Sequence, residues 1–278
     1  MRQQLSLVIT CKDERSNIGP CIDSAAHIAD EILVADSGST DGTLEYVRAR
    51  GDCRVIERDY HTAGHFKNWA IPQATHSWVL VLDADERATP ELAHEIHELL
   101  ASPPDRDGYF IRRANRLMGH PVRWGDWGRD HVLRLFRREL SHVAGPSDHG
   151  SVHVRTKNVG RLKHPMDHFT IWSWEQYLRK FDRYTRVQAE QWKEKNRRPP
   201  GMLRLLLQPP FRFFRDYVLH LGFLEGSKGL QLAYMSAFYT FMKQARLWEL
   251  QCGMQQADVE PAAMAAAEAK VLTEANAA

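Results

Sequence analysis

Residues 78–86 read Trp-Val-Leu-Val-Leu-Asp-Ala-Asp-Glu, five apolar residues that stop at three acids. An apolar run of that length between polar neighbours is a buried strand, and it is the fourth of its kind in the first hundred residues. Leu5–Thr10, Ile32–Asp36 and Arg54–Glu57 precede it, with helix-sized segments near 16–28, 41–50 and 64–74 between them. Asp41 is expected to cap the second of these helices and Gly51 to stop it. Such alternation predicts an α/β fold built on a parallel, doubly wound sheet.

Ligands of such sheets bind beyond the carboxyl ends of the strands. Here the first strand runs into Thr10-Cys11-Lys12-Asp13-Glu14, the second into Asp36-Ser37-Gly38-Ser39-Thr40-Asp41-Gly42, and the fourth into Asp83-Ala84-Asp85-Glu86. Three acidic loops are therefore expected at one sheet edge. Alternation along the strand points Asp83 and Asp85 to one side, which suits a hard divalent cation, Mg²⁺ or Mn²⁺, bridging to diphosphate oxygens. The plainer reading of two such acids is a solvated turn or a helix cap. Asp36 heads a loop whose glycines permit close approach to a ligand, with an Asx-turn as the alternative. Lys67-Asn68, on the helix before the Asp83 strand, brings a cation to where phosphate charge needs neutralising.

The rest of the chain changes character. Thr89-Pro90-Glu91 opens a helix that runs to about Leu100. Short strand-like stretches follow at Tyr109–Ile111, His131–Phe136 and Ser151–Val154, and from His168 onward the sequence reads as helical. Residues 1–105 hold nine Lys/Arg against 18 Asp/Glu, whereas residues 106–256 hold 27 against 13. The second half thus calls for an anionic partner. Residues 203–224 interleave leucines and aromatics with arginine and are interrupted by prolines and charges. That composition suits a helix lying in the interface plane of an anionic membrane surface, or a buried hairpin. No signal-peptide pattern and no uninterrupted apolar span of about 20 residues is present, so a cytoplasmic, peripheral protein is expected. Cys11, Cys21, Cys53 and Cys252 form no CxxC pair and read as reduced thiols. The 14 histidines form no zinc motif and read as surface or core residues.

Together, Thr10–Ile18, Ala35–Thr43, Phe66-Lys67-Asn68 and Leu82–Glu86 resemble the motifs of family 2 glycosyltransferases, in the family's order. More narrowly, Trp127–Phe136 and Gly222–Gly226 are similar to segments of the lipopolysaccharide core β-1,4-glucosyltransferase-like branch. The likeness spans roughly residues 5–250. It implies a GT-A fold with a Rossmann-like nucleotide-binding half (1–105), an acceptor-side half (106–166) and a helical, membrane-associating amphipathic region (167–256), while the Ala/Glu-rich composition of 257–278 predicts a flexible tail. It also implies a UDP-sugar donor, a hexose such as glucose, inversion at the anomeric carbon and a lipid-linked saccharide acceptor. Thr10, Glu14 and Asp36 are then expected around base and ribose, Asp83 and Asp85 at ribose and metal, and Lys12, Ser39, Lys67 and Asn68 elsewhere in the donor site. For the catalytic base the resemblance favours Asp130, before the Leu133–Phe136 run. The rival is Asp148, beside His149-Gly150, where similar sequences carry His-Glu; lacking that Glu, the chain uses Asp130 or Asp148 or has lost turnover.

Three other readings compete. A nucleotidyltransferase carries a glycine-rich phosphate loop after its first strand, and Thr10–Glu14 contains no glycine. A saccharide or nucleotide binder that has lost turnover fits Gly150 but not the intact Asp83 and Asp85. Nucleic acid is not expected as a partner, because the basic and aromatic residues form no recognised reader module.

Overall fold

A computed structural model describes residues 2–143 and 151–254. Asp148, Gly150 and the tail expected at 257–278 lie outside the described residues. Contacts divide the chain into two units, one of Met1–Lys180 with Phe214–Ala233 and one of Phe181–Phe213 with the chain from Tyr234.

The first unit begins with β1 (Leu5–Cys11), α1 (Ile18–Ala25), β2 (Glu31–Asp36), α2 (Thr43–Arg50), β3 (Arg54–Glu57), α3 (Ala63–Ala70), β4 (Trp78–Asp83), β5 (Glu86–Ala88) and α4 (Pro90–Leu100). Along β1, Leu5, Leu7 and Ile9 pack with α1 and α4, while Val8 packs on the opposite face with Leu33, Val79, Val81 and Phe66. Both faces of the sheet are therefore covered, which is why its strands read as unbroken apolar runs. Helix α2 starts one residue later than its sequence implies. Gly42, at φ 87°, is the N-cap, and Asp41 accepts a 3.0 Å bond from the Thr43 N–H from one position further out.

Next come β6 (Gly108–Leu117), β7 (His120–Pro121), β8 (His131–Arg137), β9 (Ser141–Val143), β10 (Val152–Val154), β11 (Val159–Arg161) and β12 (Met166–Ile171). The large sheet has the order β3-β2-β1-β4-β8-β6-β12-β5. Its first four strands are parallel to one another, and β6 is parallel to β12 and β11, but β8 pairs antiparallel with both β4 and β6, so the sheet is mixed rather than uniformly parallel. The expectation of helix from His168 also needs correction. Met166–Ile171 is a strand held between β6 and β5, and helix begins with α5 (Trp174–Glu194).

Four segments meet at Glu31, at the start of β2. Its carboxylate accepts from Ser6 Oγ (2.5 Å), Thr75 N–H (2.6 Å), Thr75 Oγ1 (2.8 Å) and Arg54 Nη2 (2.7 Å). Burial pushes this carboxyl up, but the bonds from Ser6, Thr75 and Arg54 outweigh it and hold it at about 2 against an ordinary 4.5. A depressed carboxyl stabilises the fold fully above its unfolded value and loses that contribution as pH falls toward its folded one. Glu31→Gln is therefore expected to cost about 1–2 kcal/mol near neutral pH, discounted for screening at exposed Arg54. In urea melts the difference from wild type should shrink between pH 4.5 and 2.

In the second unit, α6 (Met202–Phe214) and α7 (Ser227–Cys252) supply most of the remaining helix. Phe181 stacks on Phe238 at 5.1 Å, and Gln244 Nε2 donates to Gln208 Oε1 at 2.9 Å. Among the described residues no helix is long and apolar enough to cross a membrane.

Candidate active site

The carboxyl ends of β1, β2 and β4 lie side by side, with Cys11 opposite Asp36 and Thr10 opposite Asp83. The loops after β1 and β2 are laced together. Asp13 N–H donates to Ser39 Oγ (2.8 Å), Thr40 N–H to Asp13 Oδ1 (2.7 Å), Glu14 N–H to Thr43 Oγ1 (3.0 Å) and Arg15 N–H to Asp41 Oδ2 (3.0 Å). Asp36 is 1% exposed and accepts from the N–H groups of Gly38 and Ser39 and from Ser39 Oγ. It is the Asx-turn that shapes this loop rather than an open carboxylate. Lys12 is exposed on the same rim. Burial and the charge of Asp85 push the Glu14 carboxyl up, offset in part by Asn17 and Lys180.

Asp83 is enclosed. Its Oδ1 accepts from Thr10 Oγ1 (3.0 Å) and pairs with Lys67 Nζ (2.8 Å); Oδ2 pairs with Arg134 and, at 3.4 Å, with Arg113. Fully buried Glu86 faces the same two arginines at 2.7 Å (Arg113) and 2.6 Å (Arg134). Arg113 also reaches Asp130 at 3.2 Å. Three cations thus balance three acids around the fully buried Glu86. Burial raises the Asp83 carboxyl, but Arg134, Lys67 and Arg113 hold it well below the carboxylate range. A metal ion arriving at Asp83 would meet three positive side chains. Lys67 spends its charge on Asp83, and Asn68 turns away altogether: its carboxamide exchanges two bonds with the backbone of Val143 (2.9 and 3.0 Å).

Asp85 has different company. Its Oδ1 lies 3.6 Å from His168 Nε2, and Oδ2 lies 3.5 Å from Lys180 Nζ. Asn115 Nδ2 donates to the Trp127 carbonyl (2.6 Å), which turns Asn115 Oδ1 toward His168 Nδ1 (2.6 Å). With Nδ1 bonded there, the ring's Nε2 is turned toward the Asp85 carboxylate. A ring nitrogen oriented by a second partner is how metal-binding histidines are held. Burial opposes ionisation of Asp85, but His168 and Lys180 outweigh it and keep the carboxyl below its usual range.

His168 also borders a cleft of about 470 Å³, together with Trp127, Arg129, Asp130, His131 and Thr170. The Asp130 side chain is 33% exposed here, so it is both the salt-bridge partner of Arg113 and a carboxylate open to a ligand. Its loop is strapped down. Glu225 Oε1 accepts from the N–H groups of Arg123 (2.6 Å) and Trp124 (3.0 Å), and Asp126 pairs with Arg215 (2.7 Å) and His220 (2.5 Å). At Gly128 an added Cβ would lie 2.0 Å from the Arg123 carbonyl oxygen, which explains the Gly-Asp-Trp-Gly spacing.

The model of the family described as "Glycosyl transferase family 2" matches residues 6–219. The chain belongs to that family. This family 2 glycosyltransferase is 29% identical over 88% of its length to 92% of the lipopolysaccharide core biosynthesis glycosyltransferase LpsC of Rhizobium meliloti (strain 1021). It is also 28% identical over 90% of its length to 88% of an uncharacterized glycosyltransferase of Rickettsia bellii (strain RML369-C). Among solved structures it is similar to glucosyl-3-phosphoglycerate synthase from Mycobacterium tuberculosis, crystallised with Mn²⁺, UDP and phosphoglyceric acid. That match has a TM-score of 0.49, 17% identity, and covers 69% of this chain and 78% of the other.

The sequence pattern of this family 2 glycosyltransferase does not single out His168, Asn115, Arg113 or Arg134. His168 sits in a strand that the pattern reads as helix, and it meets Asp85 only because β12 pairs with β5 just beyond β4. The two arginines follow from Glu86, since a fully buried acid needs cationic partners.

Proposed function

We propose that this glycosyltransferase moves a hexosyl group from a UDP-sugar, with inversion, to a lipid-linked saccharide of the lipopolysaccharide core type. The juxtaposition of Asp85 with His168, a carboxylate beside an imidazole oriented by Asn115 just past the end of β4, carries the reading. Asp85 and His168 would hold Mg²⁺ or Mn²⁺, matching a carboxylate and imidazole set. Such an ion, when bound, offsets the charge that builds on a leaving diphosphate. The laced loops of Asp13–Thr43, with Thr10 and Glu14 beside them, form the wall for base and ribose.

On the acceptor side, Asp130 takes the proton of the attacking hydroxyl. The acceptor oxygen bonds to the anomeric carbon from the face opposite the nucleotide, the bond from that carbon to the diphosphate oxygen breaks, and the proton rests on the Asp130 carboxylate. Arg113 spans Asp83 and Asp130 and fixes the base relative to the donor acids. The name of the Rhizobium meliloti relative supports a lipopolysaccharide-type acceptor, and the basic surplus of the second half supports work at an anionic membrane surface from the cytoplasmic side.

Titration of UDP into the purified protein should give a Kd of roughly 1 μM–1 mM with Mn²⁺, the usual span for enzyme substrates, and no measurable heat without it. Binding of no nucleoside diphosphate, with or without metal, overturns the transferase reading.

A further inference from the structure

The exposed face of α6 is apolar. Met202, Leu203, Leu206, Leu207 and Phe211 are 58–84% exposed, at a helical spacing that gathers them on one side. The opposite side is where the helix finds its partners: Gln208 bonds to Gln244, and Phe213 packs on Tyr234 at 4.7 Å. Helix α6 carries no Asp or Glu. Immediately before it, Lys193, Lys195 and Arg198 are exposed, and Arg197 lies over the Trp192 ring at 4.1 Å. A positively charged turn thus leads directly into an unpartnered apolar face.

We infer that α6 is the element that docks this enzyme on an anionic lipid surface, lying in the plane of the headgroups with its leucine–phenylalanine face in the acyl boundary. The inference deepens the membrane side of the function proposed above and rests on it. Charge selects the occupant: a lipid surface bearing phosphates satisfies the turn and the apolar face at once. Depth follows from the prolines. Pro209 and Pro210 have no N–H, so the carbonyls of Leu205 and Leu206 lack their i+4 donors. A backbone with such carbonyls stays at the interface, where water reaches it, and does not enter hydrocarbon.

The test uses the full chain and co-sedimentation with vesicles of phosphatidylcholine alone or containing phosphatidylglycerol. Wild type should bind the anionic vesicles at least about tenfold better than the neutral ones. Leu207→Glu/Phe211→Glu should lose at least about tenfold in that affinity, because two large side chains no longer leave water. Lys195→Glu/Arg198→Glu should lose the preference for anionic lipid. Both variants keep wild-type UDP binding in Mn²⁺, so failure of docking is separable from failure of the donor site. Equal vesicle binding by wild type and the Leu207→Glu/Phe211→Glu variant overturns the inference. So does a wild-type dimer that this variant converts to monomer while neither form binds vesicles, since a second copy then covers the face.

Discussion

Replacing Asp85 by Asn is expected to remove metal-dependent UDP binding and to lower kcat/KM by about 10²–10⁴-fold. The magnitude is that of several kcal/mol of leaving-group stabilisation, at tenfold per 1.4 kcal/mol. A neutral amide keeps the shape of the site but removes the negative charge that faces His168 and Lys180. Three cations and Glu86 occupy the neighbouring acid, Asp83, and do not touch Asp85, so the fold should survive. Calorimetry with and without Mn²⁺, alongside a melting curve, reads both effects. Unaltered Mn²⁺-dependent UDP binding in a folded Asp85→Asn protein would remove Asp85 from the metal site.

The second large effect is expected at Asp130. Asp130→Asn should lower kcat by about 10²–10⁴-fold, the usual contribution of a positioned general base, while UDP binding in Mn²⁺ stays within about twofold of wild type. The separation follows from position. Asp130 opens into the cleft beside His168 and touches the donor acids only through Arg113. Loss of Arg113's third acidic partner leaves Asp83 and Glu86 still paired. Single-turnover measurements with UDP-glucose and a lipid-linked acceptor would show the split. Full turnover by Asp130→Asn, with its collapse in Asp148→Asn, would move the base to the segment that contains Asp148.

The parallel half of the sheet was legible because β1, β2 and β4 are buried on both faces, which leaves unbroken apolar runs in the chain. Its acidic edge was legible for a related reason: polar residues that interrupt such runs abruptly must stand at strand ends. The mixed half was harder. Strand β12 has two buried residues at its ends and four half-buried ones between, so it has neither a clean alternation nor a continuous apolar run, and an aromatic helix follows it directly. Reading it as helix hid His168, whose partner lies more than 80 residues earlier in the chain. The internal bonds of Asp36 and Asn68 were illegible for another cause. Residue type shows that a side chain can bind a ligand, not that its own backbone neighbours already occupy it, as Gly38, Ser39 and Val143 do here.

The lacing of the nucleotide-side loops limits how this sequence can drift. Ser39 Oγ donates to Asp36 and accepts from the Asp13 N–H at a single atom. A short hydroxyl is the neutral group able to do both, since a carboxylate only accepts and an ammonium only donates. Asp13 itself stands at φ 53°, a conformation open to Asp, Asn and Gly at little cost. Positions 13, 36 and 39 are therefore joined through one oxygen atom. Loss of the Ser39 hydroxyl leaves both the Asp36 carboxylate and the residue-13 N–H short of a partner, so the turn after β2 and the turn after β1 loosen together.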